Sequence, residues 1–379
     1  MTVTFVLPFR FATGGARVVL QYAERLRARG HATSVVYPVL PYRFRTTSRF
    51  TAGLRAWVET LASNVVPGVR VVGPALAADA PAPVPLVVDR FLPDADAVVA
   101  TAWPTAFSVA RLSEAKGAKC YLIQHREIDS GLPQEVDATY RLPLFRIAGS
   151  RFTATELRRE LGVGVEAIAP NGVDASFWSR GARDLGERSG VLMPCRREPR
   201  KGAADGVAAL AAVHARFPDL PIRAFGARRP SELPDFVELV RNPSDAALRD
   251  LYQRSRIFLY PSRYEGFGLP PLEAMAAGCA VVSTAVGAVP EVLADDCGRL
   301  VEPGDTAAMA RAVIELAGDP ERCAAMGARA AAAVRRFGLD AASEGFEAAL
   351  LRARESGVAG EARSHPDGDV APVRRDASS

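Results

Sequence analysis

Glu265 and Glu273 enclose seven residues, Gly266, Phe267, Gly268, Leu269, Pro270, Pro271 and Leu272. An ionised carboxylate only accepts hydrogen bonds, so two of them side by side suit a ligand rich in hydroxyls. The glycines make a loop, and the paired prolines suit the first turn of a helix, where a missing N–H loses no bond. Such a strand-to-helix loop aims unpaired N–H groups and the positive end of the helix dipole at whatever lies above it. The chemistry implied is a phosphate cradle between hydroxyl acceptors, as a nucleotide sugar needs with its ribose and its hexose. An isolated pair of this spacing ordinarily just caps a turn and complements a dipole. The glycines, the prolines and the apolar run 256–260 that precedes them favour the ligand.

Two cations stand ready for a diphosphate. Arg196 and Lys201 follow the apolar run 190–195, and fixed positive charge at a strand end stabilises a diphosphate as a leaving group. Arg197 and Arg200 read as bystanders. Of the four histidines, His31 falls in a turn, His214 within a helix and His365 in the tail; His125 alone follows a buried-strand pattern, 119–124. Glu127 lies just beyond it and could hold a hydroxylated or amino acceptor, as could Trp103 after the strand 97–101. Gly14 and Gly15 open a helix but do not make G-x-G-x-x-G, so a dinucleotide fingerprint is absent.

The elements that must position these groups alternate. Strands are expected at 3–7, 33–37, 97–101, 119–124, 190–195, 221–225 and 256–260, with helices from Gly14, at 151–161, 203–217, 244–252 and 306–337, and a last one over 340–354. Strand–helix alternation of this kind predicts parallel, doubly wound sheets. Asp94 and Asp96 precede their strand, on the edge away from ligands, so they read as a solvated turn and no essential metal is expected.

Composition narrows the class. A chain of 379 residues accommodates two or three domains, and 49% apolar with 24% charged residues is ordinary for a soluble protein. A net charge of +4 is too mild to imply nucleic acid. The five cysteines are scattered, without a C-x-x-C pair, as in a reducing cytoplasm. The opening residues lack a signal-peptide pattern, and no apolar run is long enough to span a bilayer. Between 42 and 57, arginines interleave with aromatic residues and no acid appears. That segment could rest on an anionic membrane surface, hold an anionic acceptor, or simply be solvated.

The stretch Glu265-Gly-Phe-Gly-Leu-Pro-Pro-Leu-Glu273 resembles the E-x7-E signature of retaining glycosyltransferases of family GT4, which have the GT-B fold. The likeness extends through 286–291 and 298–305 and back to 169–174. It implies an α/β architecture of two Rossmann-like domains facing a deep cleft. An acceptor domain would span 1–168 with a returning helix at about 340–354, and a donor domain 169–339; the Gly-, Pro-, Ser- and charge-rich composition from Glu355 separately predicts a disordered tail, 355–379. It also implies transfer of a sugar from a nucleoside-diphosphate sugar, with no cofactor. Arg196 and Lys201 would grip the diphosphate, Glu265 the hexose and Glu273 the ribose. His125 would touch the donor sugar, and the Gly14–Gly15 loop would face its phosphates. Cys195 stands where the family usually has glycine. The acceptor stays open among a lipid-linked saccharide, a polysaccharide and a small natural product. A nucleotide-sugar epimerase, a phosphorylase and a non-catalytic sugar-nucleotide scaffold are the rival readings.

Overall fold

The computed structural model describes residues 1–10, 14–42, 61, 81–181, 187–230, 233–293 and 296–357. The basic, aromatic segment beyond Tyr42 and the tail from 358 lie outside the described residues, as do 11–13 of the first loop.

Among the described residues, seven strands form one sheet: β1 (Thr2–Val6), β2 (Ala32–Pro38), β3 (Ala82–Val84), β4 (Ala97–Ala100), β5 (Ala118–Ile123), β6 (Phe145–Ala148) and β7 (Ala167–Ile168), in the order β3-β2-β1-β4-β5-β6-β7. Six form another: β8 (Val191–Pro194), β9 (Ile222–Gly226), β10 (Val237–Arg241), β11 (Ile257–Tyr260), β12 (Ala280–Thr284) and β13 (Gly298–Val301), in the order β10-β9-β8-β11-β12-β13. Every pairing among the described residues is parallel. Parallel strands are covered on both faces, which is why β4 and β11 read as unbroken apolar runs rather than alternating ones. The pleat still sorts them: Phe5 and Val99 pack on one face of the first sheet, Val6 and Val98 on the other.

Strand order reverses between β1 and β4 in one sheet and between β8 and β11 in the other. Ligands of doubly wound sheets bind beyond the strand C-terminal ends at such points. The residues that follow β5, β8 and β11 include His125, Arg196 and Glu265 respectively.

The expected helix over 306–337 is two helices, Thr306–Gly318 and Pro320–Ala333, followed by the tight turn Val334–Phe337. Asp319 divides them: its side chain accepts from the Arg322 N–H, and Pro320 takes the first position of the new helix. The final helix, Leu339–Glu355, packs on the first sheet. Its Phe346 is fully buried and stacks on Tyr22 with ring centroids 4.4 Å apart. Burying such a side chain contributes about 1.5–3 kcal/mol. The two chain crossings between the sheets run side by side, with the Val173 N–H donating to the Phe337 carbonyl at 2.8 Å. Gly172 permits that approach, since a Cβ there would lie 2.8 Å from the Gly338 carbonyl oxygen. Among the described residues, no helix is long and apolar enough to cross a membrane.

Candidate active site

The loop after β11 leads into the helix Leu269–Ala276 through Gly268, which sits at φ 86° as the cap residue. That left-handed backbone favours glycine. Among the described residues nothing accepts from the N–H groups of Gly266, Phe267 and Gly268. The Phe267 ring is core, 5% exposed and near Phe337, so this residue offers the cleft its backbone. Leu269 packs against both the first-sheet core and the second-sheet core.

Glu265 is buried, and one of its oxygens is crowded. Lys201 Nζ lies 2.7 Å from Oε1, the Tyr260 hydroxyl 2.6 Å and Ser262 Oγ 2.7 Å. Its Oε2 receives no donor among the described residues. Burial alone would push this carboxyl up, but Lys201, Tyr260 and Ser262 together hold it below the usual range. Burial draws the Lys201 ammonium down, with Glu265 opposing that shift. Lys201 reaches this position from the turn Pro199–Lys201 because Gly202, at φ 63°, lets the backbone press on the end of β11. A Cβ at Gly202 would lie 1.8 Å from the Pro261 carbonyl oxygen. Arg196 is exposed, with no hydrogen bond or ion pair among the described residues.

Glu273 is 6% exposed on the first turns of its helix. The Tyr252 hydroxyl donates to Oε2 at 3.1 Å, and Arg17 Nη1 donates to Oε1 at 3.1 Å. Burial raises this carboxyl, and Arg17 is the leading opposing influence. Arg17 belongs to the helix Gly14–Ala28 of the first sheet, so the contact spans the crevice.

The lobes touch elsewhere too. A Cβ at Gly266 would lie 2.0 Å from the Gln124 carbonyl oxygen and 2.7 Å from His125 Cβ, so only glycine allows the Glu265 loop to rest on the end of β5. His125 is thereby brought to the Glu265 loop. Burial, with Arg200 and Lys201 nearby, pushes its imidazole down to about 4, leaving it neutral at physiological pH. The Tyr264 hydroxyl reaches the Arg126 carbonyl at 3.1 Å and the Glu156 carboxylate at 3.2 Å. Gly15 meets the same region: Gln124 Nε2 donates to its carbonyl at 3.1 Å, and a Cβ there would lie 3.1 Å from that nitrogen. Gly14 faces open space.

Glu127 and Trp103 come together, but not as two side chains offered to a ligand. Glu127 Oε1 accepts from the Trp103 N–H at 2.7 Å and so closes the start of the helix Trp103–Ala110. The indole is 5% exposed and packs in the first-sheet core, against Gly131 and beside Phe107. Burial lifts the Glu127 carboxyl to about 7. Asp94 pairs with Lys116 at 2.7 Å, and Asp96 accepts from the Thr2 N–H at 2.7 Å, both on the edge away from the crevice.

Sequence reasoning assigned no role to Arg17, Tyr252, Tyr260 or Ser262. Tyr260 and Ser262 flank the strand end just before Glu265, a visible signal. Arg17 is two residues past Gly15 on a helix whose other inward positions are apolar. Its partner is 256 residues away, which spacing alone does not reveal.

The family model described as glycosyl transferases group 1 matches residues 186–333, which contain both glutamates, Arg196 and Lys201. A phosphatidyl-myo-inositol mannosyltransferase of Mycolicibacterium smegmatis is 32% identical over 358 residues, 89% of this chain and 90% of that one. A D-inositol 3-phosphate glycosyltransferase of Streptomyces coelicolor is 39% identical over 97 residues, 25% of this chain and 21% of that one. Among solved structures, Alr3699/HepE of Anabaena in complex with UDP superposes with a TM-score of 0.68 at 19% identity, covering 93% of this chain and 100% of that one. Sucrose-phosphate synthase from Thermosynechococcus elongatus gives 0.68 at 17% identity, covering 94% and 100%. Two parallel sheets meeting at one crevice are the GT-B fold of those structures, and with a relative this similar along nearly its whole length, the chain belongs to the group 1 glycosyl transferases and is a glycosyltransferase.

Proposed function

We propose that the enzyme moves a hexosyl group from a nucleoside-diphosphate sugar to an acceptor hydroxyl, with retention of the anomeric configuration. The observation that carries this reading is the grouping of three unpaired N–H groups, at Gly266, Phe267 and Gly268, with Lys201 and Glu265 in one inter-lobe crevice. Amides at a helix mouth and two cations are what a departing diphosphate requires. Arg196, unengaged, and Lys201, held by Glu265, would share its charge, so the reading calls for no metal. Glu273 would take ribose hydroxyls, and the open Oε2 of Glu265 a hexose hydroxyl. Neutral His125, beside the donor loop, would donate to or accept from the sugar.

In the transfer, the bond from the anomeric carbon to the diphosphate breaks, and a bond from the same face to the acceptor oxygen forms. The acceptor's proton passes to the departing diphosphate oxygen, so no protein base is consumed. Apposed lobes exclude water, which would otherwise compete as acceptor. The name of the Mycolicibacterium relative, a mannosyltransferase acting on an inositol lipid, supports a hexosyl donor and a hydroxylated acceptor.

The test begins with a thermal-shift screen over nucleoside diphosphates, which should raise the melting temperature by mass action. Incubation with nucleoside-diphosphate sugars and candidate acceptors should then release the matching nucleoside diphosphate. A protein that isomerises the donor without an acceptor, or that shows neither binding nor release, contradicts the proposal.

A further inference from the structure

Arg17 has no part in the donor site as outlined above, yet it is the one first-lobe cation lying on a donor-lobe carboxylate among the described contacts of Glu273 and Asp245. Its Nη1 is 3.1 Å from Glu273 Oε1, and its Nη2 is 3.5 Å from Asp245 Oδ2. Its guanidinium lies 5.3 Å from the ring centroid of Trp178, which is itself 1% exposed. A fork anchored on two carboxylates and an aromatic face is fixed in direction, which a lysine in its place would not be.

We infer that Arg17 is a positioning residue for the nucleotide: from the first lobe it holds the Glu273 carboxylate so that both oxygens face the ribose, coupling nucleotide binding to lobe apposition. This rests on the donor reading above. An ionised carboxylate offers about four acceptor sites. Arg17 occupies one on Oε1 and Tyr252 one on Oε2, so one remains on each oxygen. Two adjacent acceptors match the two neighbouring hydroxyls of a ribose, and a 2′-deoxyribose leaves one of them unmet.

The charged and titratable groups around Glu273 show why the cation matters. Asp245 and Tyr252 come from the helix Asp245–Arg254, Tyr260 from β11, Arg196 from beyond β8, and Arg17 from the opposite lobe. Burial and Asp245 favour the protonated carboxyl; Arg17, Tyr252 and Arg196 favour the ionised one, with Arg17 the leading of these. Without Arg17 the carboxyl takes up a proton at higher pH than in the native protein, and protonation turns one of its oxygens into a donor, so two equivalent charged acceptors no longer face the ribose.

The experiment is calorimetric titration of the wild type, Arg17→Ala and Arg17→Lys with UDP, GDP, ADP and CDP and their 2′-deoxy forms, from about pH 6 to about pH 9. Melting temperatures establish that each variant is folded. The wild type should prefer the ribonucleotide by about tenfold or more. Arg17→Ala should lose about 10- to 100-fold of ribonucleotide affinity near the acidic end, recover toward the wild type as pH rises, and lose much of its preference over the deoxy form. Arg17→Lys should bind with intermediate affinity at a ratio to the wild type that is flat with pH. Taking that ratio at each pH cancels the ligand's own ionisation. An Arg17→Ala ratio near one, or a loss that does not change with pH while the ribose preference stays intact, overturns the inference and leaves the donor reading standing. A wild type that binds none of the four ribonucleotides overturns the donor reading, and this inference with it.

Discussion

The two sheet edges that meet at the crevice use their glutamates differently. On the second sheet, Glu265 gathers Lys201, Tyr260 and Ser262 on one oxygen and leaves the other open, within a loop whose amides are unpaired. On the first, Glu127 spends an oxygen on the Trp103 N–H and so secures a helix of its own lobe. The electrostatics diverge accordingly: Glu265 is held low beside a fixed cation, whereas burial lifts Glu127 to about 7. A carboxylate kept ionised with an open oxygen is organised to bind. Glu127, whose charge burial disfavours, braces the start of a helix in its own lobe. In the proposed reading, the donor side is thus the edge whose charges are already arranged, at Lys201 and Glu265.

That contrast can be broken most severely at Lys201. Lys201→Ala should lower turnover by about 10²- to 10³-fold with folding intact, measured as nucleoside diphosphate released per unit time. Near-normal turnover would remove the lysine from the leaving-group site and dissolve the difference between the edges. Next in size is Gly266→Ala. The new Cβ meets the Gln124 backbone oxygen, so the lobes must separate, and turnover should fall by about 10²-fold. Solution scattering should show a more open particle; an unchanged profile with unchanged turnover would mean the loop and β5 do not meet in the working enzyme.

A smaller effect sharpens the other edge. The folded-state value of Glu127, about 7, lies above that of the unfolded chain. Its ionisation therefore opposes folding, and stability falls as pH rises from the unfolded carboxyl range through about 7. Glu127→Gln keeps an acceptor for the Trp103 N–H and cannot ionise. Its melting temperature should match the wild type near pH 4 and exceed it by a few degrees near pH 8. A difference that is constant across that range would contradict the structural role. Smallest is His125. Because its imidazole titrates at about 4, His125→Gln should lower the rate without moving the pH profile above about pH 5. A profile that loses an inflection near neutrality would show that His125 titrates there.

How much of this could be read from the chain follows the same divide. The donor edge is local in sequence. A strand, Gly266, Gly268, the paired prolines Pro270 and Pro271 and both glutamates lie within 257–273, and Lys201 follows β8 by a short turn. Within the loop the chemistry is visible because neighbours in space are neighbours in sequence, whereas the Lys201–Glu265 pair joins two segments. Arg17 and Tyr252 meet Glu273 only through tertiary packing, and no local pattern marks them. Trp103 was misleading for a related reason: it follows β4 on the ligand edge, but the first turn of its helix faces inward, so the ring enters the core. The division of 306–337 into two helices rests on one Asp–Pro step, where a cap and a proline outweigh good helix formers on either side.

The central claim is that this crevice grips a diphosphate with two cations and the amides at one helix mouth. Titration of the wild type and of Lys201→Ala with UDP and uridine, and with GDP and guanosine, isolates that grip from recognition of base and ribose. The affinity advantage of the diphosphate over its nucleoside should be large in the wild type and should shrink by about 10- to 100-fold in the variant. An advantage of the same size in both proteins would contradict the claim.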